Sequence, residues 1–221
     1  PCAHGAARLG TAVMARVERI IATIAPHDSV ERYRGLGVDV EIGEGSIVSP
    51  WEVNVNGKRL TTRNIIIATG ARPFVPLIKG MDRVPVLTSE NLWQIRERPE
   101  RLVVLGGGPI GVELAQAFQR LGSQVTLVEA EPRILPREDP EISAMIAAAL
   151  AADGVQVLTG HKADEVAVEQ GEKDLVVKST DGREKRVPFD QLLVAIGRKA
   201  NVTGFGIEAL GIPVTSRGTI A

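Results

Sequence analysis

At 221 residues and a formal net charge of −1, the chain can hold one large domain, or one domain and part of another, and carries no charge excess to draw it to nucleic acid or an acidic membrane. Its apolar share of 44% permits a sizeable core, yet aromatic residues supply only 3%, so aliphatic strands and alanine-rich helices must do the packing, as in layered α/β folds. A single cysteine, Cys2, excludes an internal disulfide, and His4, His27 and His161 are scattered without ligand spacing, so no metal site is expected.

The opening PCAHGAARLG lacks an apolar stretch behind a basic start and does not read as a secretory signal; a reducing cytoplasm is the expected setting. From Thr11 to Ile24, Val13, Val17, Ile20, Ile21 and Ile24 recur at helical spacing, and Pro26 stands just beyond. A short second helix is predicted from Ser29 to the glycines at Gly35 and Gly37. The pattern then alternates: VDVEIG, EVNV, an Asn56-Gly57 turn and KRLTT predict an antiparallel meander, feeding a buried strand IIIAT. Pro73, Pro76 and Pro85 mark a stiff connector, taken as a domain boundary.

A second series follows. RLVVLG predicts a strand, Pro109 to Leu121 a helix, QVTLVE a strand, and Pro140 to Ala152 a helix with acidic Glu138, Asp139 and Glu141 about its start. Its apolar stretch AMIAAALAA is far short of the ~20 residues a membrane crossing needs. GVQVLTG, the meander DEVAVEQ and KDLVVKST with a turn at Asp181-Gly182, and a buried strand QLLVAIG complete the series. GVDVEIG, hairpin, IIIATG thus repeats as GVQVLTG, hairpin, LLVAIG. Only the second copy has a strand, glycine-rich turn, helix and strand ahead of it, so the polypeptide is expected to be a piece of a longer design whose upstream portion carries a first fingerprint.

That glycine-rich turn carries the chemistry. Gly106, Gly108 and Gly111 form G-x-G-x-x-G between a strand and a helix, the context in which the motif signifies a dinucleotide. The first glycine permits the tight turn, the second lets a pyrophosphate approach, and the third lets helix and strand pack closely. The helix N-terminus offers free N–H donors, and Pro109 suits a first turn that has no use for its own. A turn serving only close packing is the competing reading. Against it stands Glu129, about twenty residues on, where an acceptor for a ribose hydroxyl belongs. That carboxylate would repel a 2′-phosphate about 4 Å away by roughly 4 kcal/mol, favouring NAD over NADP, although Arg133 could soften the preference. Glu113 is placed in the first turn, as a helix-dipole partner or as a catalytic group.

With ATGARP at Ala68 to Pro73, GGGPIGVELA at Gly106 to Ala115, VTLVEAEPRILPREDPEI at Val125 to Ile142 and LLVAIGRKAN at Leu192 to Asn201, the chain resembles the pyridine nucleotide-disulfide oxidoreductases, and among them the branch of dihydrolipoamide dehydrogenase and mercuric reductase. The resemblance implies a Rossmann-like FAD/NAD(P)-binding fold, with a parallel sheet and a β-meander in each domain. Residues 1–80 would be a partial FAD-binding domain, 84–202 the NAD(P)-binding domain, and 203–221 a return segment toward the FAD domain. It implies FAD contacts at Gly45, Thr69, Gly70 and Ala71, and matches Arg198 to an arginine near the flavin, with a charge on the boundary loop as the other reading. It implies NAD contacts at Gly106, Gly107, Gly108, Pro109, Ile110, Gly111, Val112 and Glu113, at Glu129, at Val166 beside the adenine, and at Gly197.

The family's redox pair C-x-x-x-x-C is not found in this sequence, nor is its His-Glu pair, so no catalytic residue is assigned. The full-length parent is expected to be a homodimeric flavoenzyme that takes hydride from NADH and passes it through FAD to a disulfide or metal ion. The 221-residue chain itself is expected to bind NAD(H) with little or no turnover. Two alternatives stand beside this reading: a non-catalytic NAD(H)-binding redox-sensing module, and a relative without the disulfide, such as an NADH oxidase or transhydrogenase.

Overall fold

The computed structural model describes residues 3–221, with side chains from Thr11 onward; Cys2 and the side chain of His4 lie outside the described residues. The chain divides into two compact units, one of Ile20–Arg72 and Arg198–Ala221, the other of residues up to Arg19 and Pro73–Gly197. No helix among the described residues is long and apolar enough to cross a membrane.

The helix α1 (Ala3–Ile24) begins earlier than its apolar pattern, and the last part of that pattern is open to solvent: Ile20, Ile21 and Ile24 are all exposed. In α2 (Val30–Gly35) the Ser29 hydroxyl caps the N-terminus, accepting the Arg32 N–H at 3.2 Å. The meander forms from β1 (Gly45–Ser49), β2 (Glu52–Val55) and β3 (Lys58–Thr61), all antiparallel. Asn56 and Gly57 turn between β2 and β3 with φ of 49° and 87°, the pair of positive angles a twisted two-residue hairpin requires.

Two expected strands of this unit are absent. VDVEIG runs without strand pairing and leaves Ile42 exposed, so the meander starts later, at Gly45. IIIAT is likewise unpaired, with Ile66 91% exposed and only Ile65 and Ile67 half-buried. These two side chains line, with Ile47, Leu210 and Ile212, a cavity of about 320 Å³. An apolar run becomes a strand only where neighbours accept its hydrogen bonds, and among the described residues none stands beside this one. After it comes the short β4 (Ala71–Pro73).

The other unit is built on β5 (Val86–Leu87), β6 (Arg101–Leu105), β7 (Gln124–Val128), β8 (Gln156–Leu158) and β12 (Gln191–Val194), all parallel, in the order β5-β12-β6-β7-β8. The helices α3 (Pro109–Arg120) and α4 (Pro140–Ala152) connect β6 to β7 and β7 to β8. Alternate residues of each strand face opposite sides. Leu102, Val104, Val125, Leu127 and Leu193 pack with Val112, Ala115 and Phe118 of α3 and Leu150 of α4. Val103, Leu105, Val128, Leu192 and Val194 pack instead on the antiparallel meander β9 (His161–Glu169), β10 (Glu172–Ser179) and β11 (Glu184–Pro188). Buried on both faces, such strands read as continuous aliphatic runs, as RLVVL and QLLV do. The result is the Rossmann-like α/β fold expected. The chain ends in the first-described unit, where β13 (Arg198–Ala200) pairs with β4 and the stretch after it gives the Phe205 carbonyl to the Ile47 N–H at 2.8 Å.

Candidate dinucleotide site

In open α/β sheets the crevice for a ligand lies beyond the carboxyl ends of the strands, where the connections diverge to either side. Here β6 is that strand, with β7 on one side and β12 on the other, and the glycines follow it directly. Gly106 turns the chain with φ of 113°, its N–H donating to the Val128 carbonyl at 2.8 Å. A Cβ there would sit 2.5 Å from the Ala195 carbonyl oxygen, so no side chain fits. On α3, a Cβ at Gly111 would lie 1.9 Å from the Gly106 oxygen, which is how closely the helix presses on the turn.

At Gly108, the residue before α3, the opposite holds: nothing comes within 4 Å of where its Cβ would be. Two glycines are therefore required by the protein's own backbone and the third leaves space free. The first bond of the helix runs from the Val112 N–H to the Gly108 carbonyl at 3.0 Å. The N–H groups of Ile110 and Gly111 thus have no acceptor within the helix and stand at its positive end, behind Pro109 at the first position. Ile110 is partly exposed and Val112 buried. Glu113 corrects the expectation: with Pro109 opening the helix, the first turn holds no acidic residue, and Glu113 lies just past it and exposed.

Glu129, immediately after β7, is half-buried and held by backbone donors on both carboxylate oxygens. The Gly107 N–H reaches Oε2 at 2.6 Å and the Glu131 N–H reaches Oε1 at 2.8 Å. Each oxygen has a second lone pair free, so the pinned carboxylate can still accept from a ribose diol. Arg133 is committed elsewhere, donating to the Glu138 and Pro136 carbonyls at 2.8 Å each. A free space at Gly108, unsatisfied helix N–H groups and an oriented carboxylate fit the two ends of an adenosine diphosphate.

The other expected contacts are distributed. Val166 lies in β9 with its side chain wholly buried and its N–H donating to the Lys79 carbonyl at 2.8 Å. Gly197 follows β12 and accepts the Phe74 N–H at 3.0 Å. In the first-described unit, Gly45 opens β1 opposite Val55. There Thr69, Gly70 and Ala71 are gathered by the segment after β12. The Thr69 hydroxyl donates to the Asn201 carbonyl at 2.7 Å, the Asn201 N–H donates to the Gly70 carbonyl at 3.0 Å, and Arg198 donates to the Ala71 carbonyl. Asn201, whose side chain also bridges the Thr69 carbonyl at 2.9 Å and Arg72 at 3.0 Å, was not singled out in the sequence. Its place at the end of LLVAIGRKAN was the only signal available. Ile134 and Leu135, which touch Gly107, had only their place within VTLVEAEPRILPREDPEI, and Ser143, bonded to the Ile134 carbonyl, had no signal.

A family model described as pyridine nucleotide-disulphide oxidoreductase matches residues 9–221. Mercuric reductase of Staphylococcus aureus is 37% identical over 193 residues, 87% of this chain and 35% of that protein. Dihydrolipoyl dehydrogenase of Acholeplasma laidlawii is 41% identical over 180 residues, 80% of this chain and 52% of that one. Among solved structures, the HOCl-induced flavoprotein disulfide reductase RclA of Escherichia coli superposes with a TM-score of 0.81 at 29% identity, covering 96% of this chain and 48% of that chain. The chain thus spans between about a third and a half of the length of these relatives.

Proposed function

The chain belongs to the pyridine nucleotide-disulphide oxidoreductase family, and on that premise we propose that its parallel-sheet unit is the NAD(H) site of a flavoenzyme that passes hydride from NADH through FAD to a disulfide or a metal ion. The observation that carries this is the Gly107 N–H on the Glu129 carboxylate at 2.6 Å beside the open helix N-terminus. It sets an acceptor for the adenosine ribose and donors for the diphosphate in one rigid turn. When bound, the nicotinamide supplies the hydride and the flavin relays it. The protein's part is to bind and orient. The Ile110 and Gly111 N–H groups and the helix dipole hold the diphosphate, and Glu129 the ribose. Gly197 is the further contact we assign to NAD, and Gly45, Thr69, Gly70, Ala71 and Arg198 those to FAD in the complete protein; Val166, wholly buried and bonded through its N–H to the Lys79 carbonyl, presents no surface to the cofactor. That protein we take to act as a homodimer in a reducing cytoplasm, in keeping with one cysteine in the sequence.

Glu129 also selects the cofactor. Its fixed charge would oppose a 2′-phosphate by roughly 4 kcal/mol at about 4 Å, nearly three decades in affinity. Arg133, held by carbonyls, can offset that repulsion only by giving up two hydrogen bonds. Calorimetric titration of the 221-residue chain should show NADH binding and NADPH binding weaker by about two to three decades, a gap that narrows in Glu129→Gln. No reduction of lipoamide or Hg(II) should accompany it. Equal affinity for the two nucleotides would overturn the assignment of Glu129, and absence of binding would overturn the site.

A further inference from the structure

We propose that Ser143, on α4 and outside the fingerprint, is a positioning residue for the diphosphate cradle, acting through Ile134 and Leu135 on Gly107; the inference rests on the NAD(H) reading above. The path is continuous. Ser143 is 3% exposed and its hydroxyl donates to the Ile134 carbonyl at 2.6 Å. The Ile134 side chain, itself buried, reaches Gly107 so closely that an added Cβ there would be 3.0 Å from its Cγ2. The next residue, Leu135, donates its N–H to the Gly107 carbonyl at 2.8 Å.

Leu135 does this from a backbone φ of 48°, a left-handed conformation that a leucine rarely adopts. Such a conformation persists only where the surroundings over-determine it. Ser143 is the polar tether that does so, fixing the peptide just ahead of Leu135. The consequence reaches the ligand because a trans peptide points its C=O and N–H in opposite directions. With the Gly107 carbonyl held toward Leu135, the N–H of Gly108 is turned the other way. Gly107 is thus held from both sides, Glu129 on its N–H and Leu135 on its C=O. Release of the Ile134 carbonyl lets Leu135 relax to negative φ, withdraws its N–H, and frees the peptide between Gly107 and Gly108 to rotate.

The plainer reading is that the Ser143 hydroxyl satisfies a buried carbonyl and adds stability alone. Ligands with and without the diphosphate separate the two. In the 221-residue chain, Ser143→Ala should weaken ADP-ribose roughly tenfold, the size of one lost hydrogen bond, and leave adenosine within about twofold, since Glu129 keeps its second donor at Glu131. Adding Leu135→Gly to Ser143→Ala should restore most of the ADP-ribose affinity, because glycine occupies positive φ without a tether. Equal losses for both ligands, no loss for either, or no recovery in the double variant would overturn the proposal. A wild-type chain that binds neither NADH nor ADP-ribose would overturn it together with the reading beneath it, so the two failures are told apart by the wild type.

Discussion

The segments Ile65–Gly70 and Leu192–Gly197 are nearly the same sentence written twice, IIIATG and LLVAIG, and they have opposite fates. In the second, Leu192, Leu193 and Val194 lie in β12, bonded to β5 on one side and β6 on the other, with each of the three almost wholly buried. In the first, the chain is unpaired, and the middle isoleucine is 91% exposed. Composition and β-branching, if anything, favour IIIATG as a strand. What separates the two is company: one copy has β5 and β6 to pair with and helices to pack against, whereas no described strand stands beside the other. Strand formation here belongs to the tertiary level, and a local sequence states only the demand for a partner.

Hydrogen exchange offers the sharpest way to break that contrast. Amides of Leu192–Val194 should open only with global unfolding of their unit, whereas those of Ile65–Ala68 have no ladder to protect them. Peptides covering the two stretches should therefore differ in exchange rate by about three decades or more. Comparable protection in both would mean that IIIATG finds strand partners in solution, for example in another copy of the chain through its open edge.

Truncation tests the same contrast energetically. Leu193, with no exposed surface, packs into the helix-side core, so Leu193→Ala should cost about 2–5 kcal/mol. Ile66→Ala should change stability by less than about 0.5 kcal/mol, as exposed substitutions do. Each unit contains one tryptophan, Trp51 and Trp93 respectively, so urea unfolding in a Trp51→Phe background reports on the parallel-sheet unit alone. A loss at Ile66 as large as that at Leu193 would contradict the exposure.

The glycine fingerprint was legible because its cause is local. Gly106 and Gly111 are glycines since a Cβ would strike backbone atoms of neighbouring elements, and that steric demand follows from a strand-turn-helix in this register. Glu129 was legible for the same reason, as the residue that must follow β7. The Asn56-Gly57 hairpin and the helices at Ser29 and Pro140 likewise carry their instructions in adjacent residues. VDVEIG and IIIAT were misread because an apolar pattern cannot announce whether its neighbours exist. Glu113 fell just past the first turn in which it was expected, since the helix count starts at Pro109. Leu135 was illegible altogether: nothing in ILPRED marks a leucine for positive φ, which is imposed by Ser143 and Gly107 from elsewhere in the fold.

An effect smaller than that at Leu193 lies at the foot of β12 and β6. Asp190 precedes β12 and ties it to the start of β6. Its carboxylate accepts the Arg101 N–H at 2.7 Å and the guanidinium at 2.7 and 3.1 Å. Arg63 stands at the matching place of the first copy, a cation where the second has its anion. Burial alone would raise the Asp190 carboxyl, but the Arg101 hydrogen bonds and charge outweigh it and hold the group below the ordinary range. A carboxylate so depressed adds stability above its unfolded value of about 3.9, and that contribution is lost as pH falls through the lower folded value. Because over a third of the side chain is in solvent, the contribution should be under about 1 kcal/mol. Asp190→Asn keeps an acceptor for the Arg101 N–H but removes the charge. It should be slightly less stable than the wild type at pH 7, with the gap closing as urea melts are moved to progressively lower pH. A gap that stays constant with pH would mean that geometry alone, without the ion pair, anchors β12 to β6.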